Sequence, residues 1–180
     1  MGFVKELLYR ARGEYTTEKL IKMGLKVGKN FKRLNNVVLD PGHCWLLEIG
    51  DNVTMAPRVH VLCHDASTKT HLGYTKIGRV TIGDNVFIGA STVVLPGVTI
   101  GKNSIIGANS VVTKDVPEGV VMAGNPARVI CTTEEYLTKQ KTKMEDVPCY
   151  DVSYTLGGGI TEEKKQQMKD ELKDKTGFVV

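Results

Sequence analysis

Three histidines and a cysteine crowd one short stretch of the chain: His60, Cys63, His64 and His71. Two chemistries could come from such a set. Imidazole is a common zinc ligand, so His60, His64 and His71 could share a metal ion. A thiol beside an imidazole, Cys63 with His64, could act as an activated nucleophile. Each reading depends on where the side chains point, and so on the element that carries them. Adjacent residues of an extended strand face opposite sides, which places Cys63 and His64 badly for a dyad and makes Cys63 a buried small thiol. Cys44, Cys131 and Cys149 are widely spaced and form no Cys-x-x-Cys pair, so four reduced thiols are expected rather than a zinc clip or a redox dithiol.

The element is written in the spacing. From Ile82 onward an apolar residue recurs every six positions, at Ile82, Ile88, Val94, Ile100, Ile106 and Val112. Turn-forming groups follow each one: Gly83-Asp84-Asn85, Gly89-Ala90-Ser91, Leu95-Pro96-Gly97, Gly101-Lys102-Asn103, Gly107-Ala108-Asn109 and Thr113-Lys114-Asp115. Gly and Asn tolerate positive φ, so each hexad reads as a short strand and a tight bend. A period of six fits neither the 3.6 of a helix nor a long hairpin strand, and it matches the hexapeptide class of β-helix. The helical alternative fails on its glycines, which would cost roughly 0.5–1 kcal/mol each in a helix interior. The same register reappears upstream at Ile49, Met55 and Val61, and less regularly from Val27 to Leu39, where Arg33 takes an inward position.

Two departures interrupt the rhythm, and departures are where a repeat protein grows loops that can carry chemistry. Leu39 to Ile49 contains Asp40-Pro41-Gly42-His43, and Val61 to Ile82 runs from His64-Asp65-Ala66-Ser67 through Tyr74. The second step is three residues longer than a multiple of six, so a loop at about residues 64–78 must leave the wall. The flanks are different material. Residues 1–26 carry Val4, Leu7, Leu8, Leu20, Ile21 and Met23 amid charges, with Thr16 or Thr17 before Glu18 as a capping signal. They predict a helical cap that covers the first coil's strand edges. Residues 132–180 predict a helix opening at Thr132-Thr133-Glu134, a hinge or linker at Gly157-Gly158-Gly159, and a second helix from Thr161 to about Lys175.

Bulk properties narrow the partners. A formal charge of +4 over 180 residues, without a long run of like charges, points away from nucleic acid and membrane surfaces, though a basic patch for a small anion stays open. No run of about 18 apolar residues could span a bilayer, and the N-terminus lacks a secretory signal. Gly2 fails the myristoylation pattern because position 6 is Glu6. A soluble protein in the cytoplasm is the expectation.

These residues resemble the hexapeptide-repeat acetyltransferases, particularly the maltose and galactoside acetyltransferase group and its relatives that acetylate surface polysaccharides. The resemblance covers about residues 27–131. It rests on Ile49 to His64, on Val80 to Pro117, and on Ala123-Gly124-Asn125-Pro126-Ala127-Arg128-Val129-Ile130. It implies a left-handed parallel β-helix with three hexads per coil, and a homotrimer holding acetyl-CoA in clefts between subunits. It implies that His64 is the general base taking a proton from the acceptor as that group attacks the thioester carbonyl. An imidazole, with an ordinary pKa of about 6.5, can do this at neutral pH, and such help is worth about 100- to 10,000-fold. By the same likeness Asp40 falls where a polar residue contacts the acceptor. It could orient the acceptor or the imidazole, or be an Asp-Pro turn residue. Phe87, Ala90, Ala108, Thr113, Lys114, Asn125 and Arg128 would line the cofactor cleft. Small Ala90 and Ala108 would admit the pantetheine arm, and Lys114 and Arg128 would meet phosphates. Phe87 stands where a tryptophan is often found.

The implied activity is transfer of an acetyl group to a hydroxyl of a sugar or glycan precursor, with no metal required. N-acetylation of an amino nucleotide sugar and a non-catalytic scaffold subunit are the alternatives. Gamma-class carbonic anhydrases also build zinc sites on a β-helix, but His60 and His64 differ in hexad phase while His71 sits in the loop, so the three would converge only with special geometry.

Overall fold

The computed structural model describes residues 15–180, so the expectations for Val4, Leu7 and Leu8 fall outside the described residues. The chain divides between Thr133 and Glu134 into two compact units.

The described part of the first unit begins with α1 (Thr17–Lys22), whose N-cap Thr16 accepts a hydrogen bond from the amide of Lys19 at 3.2 Å. A threonine there satisfies one of the orphan amides of the first turn. Leu20, fully buried, carries the helix into the main core. The chain then lays down β1 (Lys26–Val27), β2 (Lys32–Arg33) and β3 (Val38–Leu39), followed after a 3-10 turn at Cys44–Leu46 by β4 (Leu47–Ile49), β5 (Thr54–Met55) and β6 (His60–Val61). An excursion follows: β7 (His64–Asp65), α2 (Lys69–Leu72) and β8 (Lys76–Ile77). The rhythm resumes with β9 (Val80–Ile82), β10 (Phe87–Ile88), β11 (Val93–Val94), β12 (Thr99–Ile100), β13 (Ile105–Ile106) and β14 (Val111–Val112), and ends on β15 (Val120–Gly124) and β16 (Ala127–Thr132).

Successive strands go to three sheets in rotation. The first sheet is β1-β4-β9-β12, the second β2-β5-β10-β13-β15-β16, and the third β3-β6-β11-β14. Within these three sheets pairing is parallel except for β15 with β16, and the excursion adds a separate antiparallel pair, β7 with β8. Every third hexad therefore stacks in register: Ile49 on Ile82 on Ile100, Met55 on Ile88 on Ile106, Val61 on Val94 on Val112. This is the topology of a three-faced parallel β-helix. Those nine side chains are all buried. Each hexad also turns inward the residue two places earlier, such as Val53, Val59, Val86 and Val98. At Thr92, Ser104 and Ser110 that place is polar, and each hydroxyl donates to a backbone carbonyl, of Gly107, Pro117 and Gly107 at 3.0, 2.9 and 2.7 Å. A buried hydroxyl is tolerated when it is bonded in this way.

Arg33 takes the inward register position opposite Met55, as its spacing predicts. Its half-buried guanidinium donates to the carbonyl oxygens of Val37 and Tyr15, which makes a cation acceptable at the end of the core. The corners between the first and second sheets hold a ladder of asparagines with φ between 56° and 57°: Asn30, Asn52, Asn85 and Asn103. Each amide donates to the next carbonyl oxygen at 2.9–3.0 Å.

The second unit contains most of α3 (Thr133–Met144), β17 (Cys149–Tyr150), a 3-10 turn at Val152–Tyr154, α4 (Glu162–Glu171) and β18 (Phe178–Val179), which pairs in parallel with β17. Both predicted helices are present, and Thr161 caps α4. The glycine run lies inside the second unit as a turn between the 3-10 turn and α4. Gly158 packs so closely on the 3-10 turn that a Cβ would collide with the carbonyl oxygen of Val152, and its amide donates to Thr155 Oγ1 at 3.0 Å. The run of glycine fits a packed turn here, so a local backbone approach produced the composition usually associated with a linker.

Candidate active site

Both departures from the hexad rhythm follow a strand of the third sheet, so both leave the same edge of the coil. The first follows β3 and the second follows β6, and β3 lies directly against β6, with Val38 opposite His60 and Leu39 opposite Val61. Continuing that register brings Asp40 beneath Cys63 and His64. The amide of Asp40 donates to the carbonyl oxygen of Val61 at 3.0 Å, and the amide of Cys63 donates to Asp40 Oδ2 at 2.8 Å.

At this edge the strand alternation separates the two chemistries first suspected. Cys63 turns into the core with no exposed surface, and burial, followed by the nearby charges of Asp40 and Cys44, pushes its thiol up to about 12. A thiol held so far from its thiolate is no nucleophile at neutral pH. His64 turns outward with its side chain 39% exposed. Its Nδ1 lies 2.5 Å from Asp40 Oδ2.

Asp40 itself is 1% exposed. Burial pushes its carboxyl up, but the hydrogen bond to His64, the Cys63 amide, the charge of the imidazole and the Gly42 amide together outweigh burial and hold it below the usual carboxylate range. Oδ1 accepts from the Gly42 amide at 3.0 Å, so both oxygens are engaged within the protein. An ionised carboxylate only accepts, so the hydrogen bond places the imidazole proton on Nδ1 and leaves the lone pair on Nε2. The pair is a base of fixed tautomer on a half-exposed edge.

Two aromatic residues missed by sequence reasoning complete the edge. The ring of His43 lies 5.0 Å from that of His64 at an interplanar angle of 41°. The ring of Trp45 also neighbours that of His43, at 5.3 Å and 48°. His43 Nδ1 is buried without a hydrogen-bond partner. The signal available in the sequence was the shared edge: counting strands in threes from Val27 sends both inserts to one corner, which makes His43 a neighbour of His64.

Among the described residues, the group whose possible metal-ligating atoms share a site is Asp40, His43 and His64, all within 4.8 Å of one another. It is a different set from His60, His64 and His71: His60 is exposed on β6 and His71 is exposed in α2. In the group that does converge, Asp40 and His64 already share a hydrogen bond that a divalent ion would have to displace.

The predicted cofactor residues fall on different edges of one chain. Phe87, 44% exposed, stands on the second sheet, and Ala90 and Ala108 occupy stacked corners between the second and third sheets. The approach there is close, since a Cβ on Gly89 would lie 2.5 Å from the amide of Ala108. Asn125 is exposed in the turn from β15 to β16, and exposed Arg128 follows on β16, its guanidinium donating to the carbonyl oxygen of Ala127 at 2.9 Å. Thr113 and Lys114, also exposed, leave the third sheet at the edge that carries His64.

A three-faced coil of hexads with an Asp-bound imidazole where its loops emerge defines a class, the hexapeptide-repeat transferases. The comparisons agree, with residues 79–114 matching the family described as bacterial transferase hexapeptide (six repeats). The chain is 43% identical over 127 residues to Protein CapG of Staphylococcus aureus, covering 68% of this chain and 74% of that one. It is 36% identical over 121 residues to YvoF of Bacillus subtilis (strain 168), named as a candidate acetyltransferase, covering 67% of this chain and 68% of that one. Among solved structures, a maltose O-acetyltransferase from Clostridium difficile 630 matches with a TM-score of 0.53 at 43% identity, over 61% of this chain and 59% of that one. The hexapeptide-repeat acetyltransferase VCA0836 of Vibrio cholerae O1 biovar eltor, complexed with acetyl coenzyme A, matches with a TM-score of 0.55 at 32% identity, over 61% and 60%. The chain thus spans about three fifths of each of these two solved chains. It belongs to the hexapeptide-repeat acetyltransferase family.

Proposed function

We propose that this protein moves an acetyl group from acetyl-CoA to a hydroxyl of a sugar or glycan precursor, with His64 as general base and Asp40 as the residue that orients it. The observation that carries the reading is the Asp40–His64 hydrogen bond, which leaves Nε2 free to accept a proton at an exposed edge. The acceptor hydroxyl gives its proton to Nε2 as its oxygen attacks the thioester carbonyl. The tetrahedral intermediate then expels the CoA sulfur, and the imidazolium returns the proton to that thiolate. Such proton transfer typically supplies about 100- to 10,000-fold. The donor and a sugar acceptor are supported by what the two similar solved structures bind or act on by name.

The division of the cofactor residues between edges supports a site shared by two copies of the chain. Phe87, Ala90, Ala108 and Asn125 would come from one subunit, and His64, Thr113 and Lys114 from its neighbour, in a homotrimer. Ala90 and Ala108 would pass the pantetheine arm, and Lys114 and Arg128 would meet phosphates. The left-handed sense of the coil and a cytoplasmic setting belong to the same reading. Among the described residues no helix is long and apolar enough to cross a membrane.

The test is release of the CoA thiol with a panel of sugars and nucleotide sugars. With a responsive acceptor, His64→Ala is expected to lower kcat by about 100- to 10,000-fold while leaving CoA binding intact. Full turnover by that variant would show that the base lies elsewhere.

A further inference from the structure

His64 and Asp40 have roles in the proposed transfer, whereas the aromatic rings of His43 and Trp45 have none in it. The ring of His43 joins the other two, its centroid 5.0 Å from that of His64 and 5.3 Å from that of Trp45. Trp45 is the sole tryptophan of the chain, and the residue is 55% exposed. Its indole N–H donates to no protein group among the described residues. A large ring left in water without a partner at its polar end is a contact surface in waiting, because tryptophan joins an apolar face to a hydrogen-bond donor.

The local sequence holds that ring in place. Cys44, fully buried, pins the turn to the core between His43 and Trp45. Gly24, with φ of +108°, passes close enough that a Cβ there would lie 2.9 Å from Trp45 Cβ. Beyond Trp45 a shallow groove of about 270 Å³ runs along Leu46, Leu47, Lys26, Glu48 and Arg79. Glu48 bridges Arg79 at 2.5 Å and Lys26 at 3.8 Å, so the groove floor offers both donors and acceptors of hydrogen bonds.

We infer that Trp45 and His43 form an aromatic shelf for a glycosidically extended acceptor: the ring that receives the acetyl group lies against His43 beside His64, and the adjoining sugar lies on Trp45. The apolar C–H face of a pyranose packs on an aromatic face, while its hydroxyls at the rim suit the paired charges beyond. His43 is in ring contact with both His64 and Trp45, so the aromatic surface continues one ring beyond the residue beside His64, where a second linked sugar would lie. The inference rests on the acetyltransferase reading and names the acceptor class of that same site, an oligosaccharide or glycan chain instead of a free monosaccharide.

Because the chain has one tryptophan, its emission reports directly on the shelf. The full chain is titrated with glucose and N-acetylglucosamine, and with maltotriose, cellotriose and chitotriose. At least one trisaccharide is expected to change Trp45 emission saturably, at a concentration at least tenfold below that needed by its monosaccharide. Trp45→Ala, followed by saturation-transfer NMR, is expected to lose that binding at least tenfold, and Trp45→Phe to recover most of it. His64→Ala is expected to keep the emission change while losing transfer. Binding that persists without any CoA release would leave the shelf standing and sink the transferase reading. An emission unmoved by every trisaccharide overturns the shelf, and so does Trp45→Ala transferring acetyl to a trisaccharide with unchanged kcat/KM.

Discussion

A single carboxylate decides what His64 can do. Both oxygens of Asp40 are occupied within the protein and almost none of its surface is exposed, so in the proposed transfer the carboxylate orients the imidazole. Asp40→Asn removes the charge that would stabilise an imidazolium and offers Nδ1 a group that can donate as well as accept. A fall in kcat of about 10- to 1,000-fold with acetyl-CoA affinity retained is expected, measured by steady-state kinetics and titration calorimetry. The same carboxyl ties stability to acid. Its pKa is lowered by folding, so the ionised form stabilises the fold fully above the ordinary carboxylate range, and that contribution disappears as pH falls through the lower folded value. Thermal melts between neutral and strongly acidic pH should show a smaller acid-induced drop in Tm for Asp40→Asn than for the parent. Cys63 provides a control. With its thiol buried and pushed up to about 12, it should resist alkylation in the native protein while exposed Cys149 reacts.

The corner is the unit that makes an element here, since each strand is only two or three residues long. Asparagines at φ near 57° tolerate the left-handed bend and also bond to one another down the coil, so propensity and tertiary contact agree. Arg58 breaks the rule: it holds φ at 64° with a long side chain at an exposed corner. Arg58→Asn is expected to stabilise the protein by about 1 kcal/mol, read as a raised Tm. Gly158→Ala should act in the opposite direction, destabilising the second unit by about 1–3 kcal/mol, because its methyl group would meet the carbonyl of Val152. Hydrogen exchange limited to residues 134–180 would show the loss.

For the whole molecule the consequence of three faces is that one chain presents its candidate cofactor residues on separate edges. If sites form between copies, two inactive variants can repair each other. His64→Ala spoils one side of a site, and Ala90→Trp blocks the other. Refolded together in equal amounts, they should regain about a quarter of parental activity, since about one interface in four would pair two intact halves. Sedimentation should report three times the mass of the chain. No recovery on mixing, or a monomer that turns over normally, would place the site within one subunit.

The spacing of Ile82 through Val112 and the Gly and Asn residues after each step were enough to determine the hexad, the inward set and the turns, because a strand of two residues and a left-handed corner are local properties. The alternation of Cys63 and His64 was equally local. What no spacing displayed was that Asp40 and His43 would stand beside His64, more than twenty positions further on, with Trp45 against His43. That neighbourhood exists because β3 stacks on β6, and stacking is decided only when three hexads have closed a coil and brought the third face around again. In the other unit the glycine run that reads as a linker includes Gly158, whose close approach to the carbonyl of Val152 no composition displayed. Periodicity is carried by the chain, whereas the partner of a side chain one coil away is set by the packing that folds the chain back upon itself.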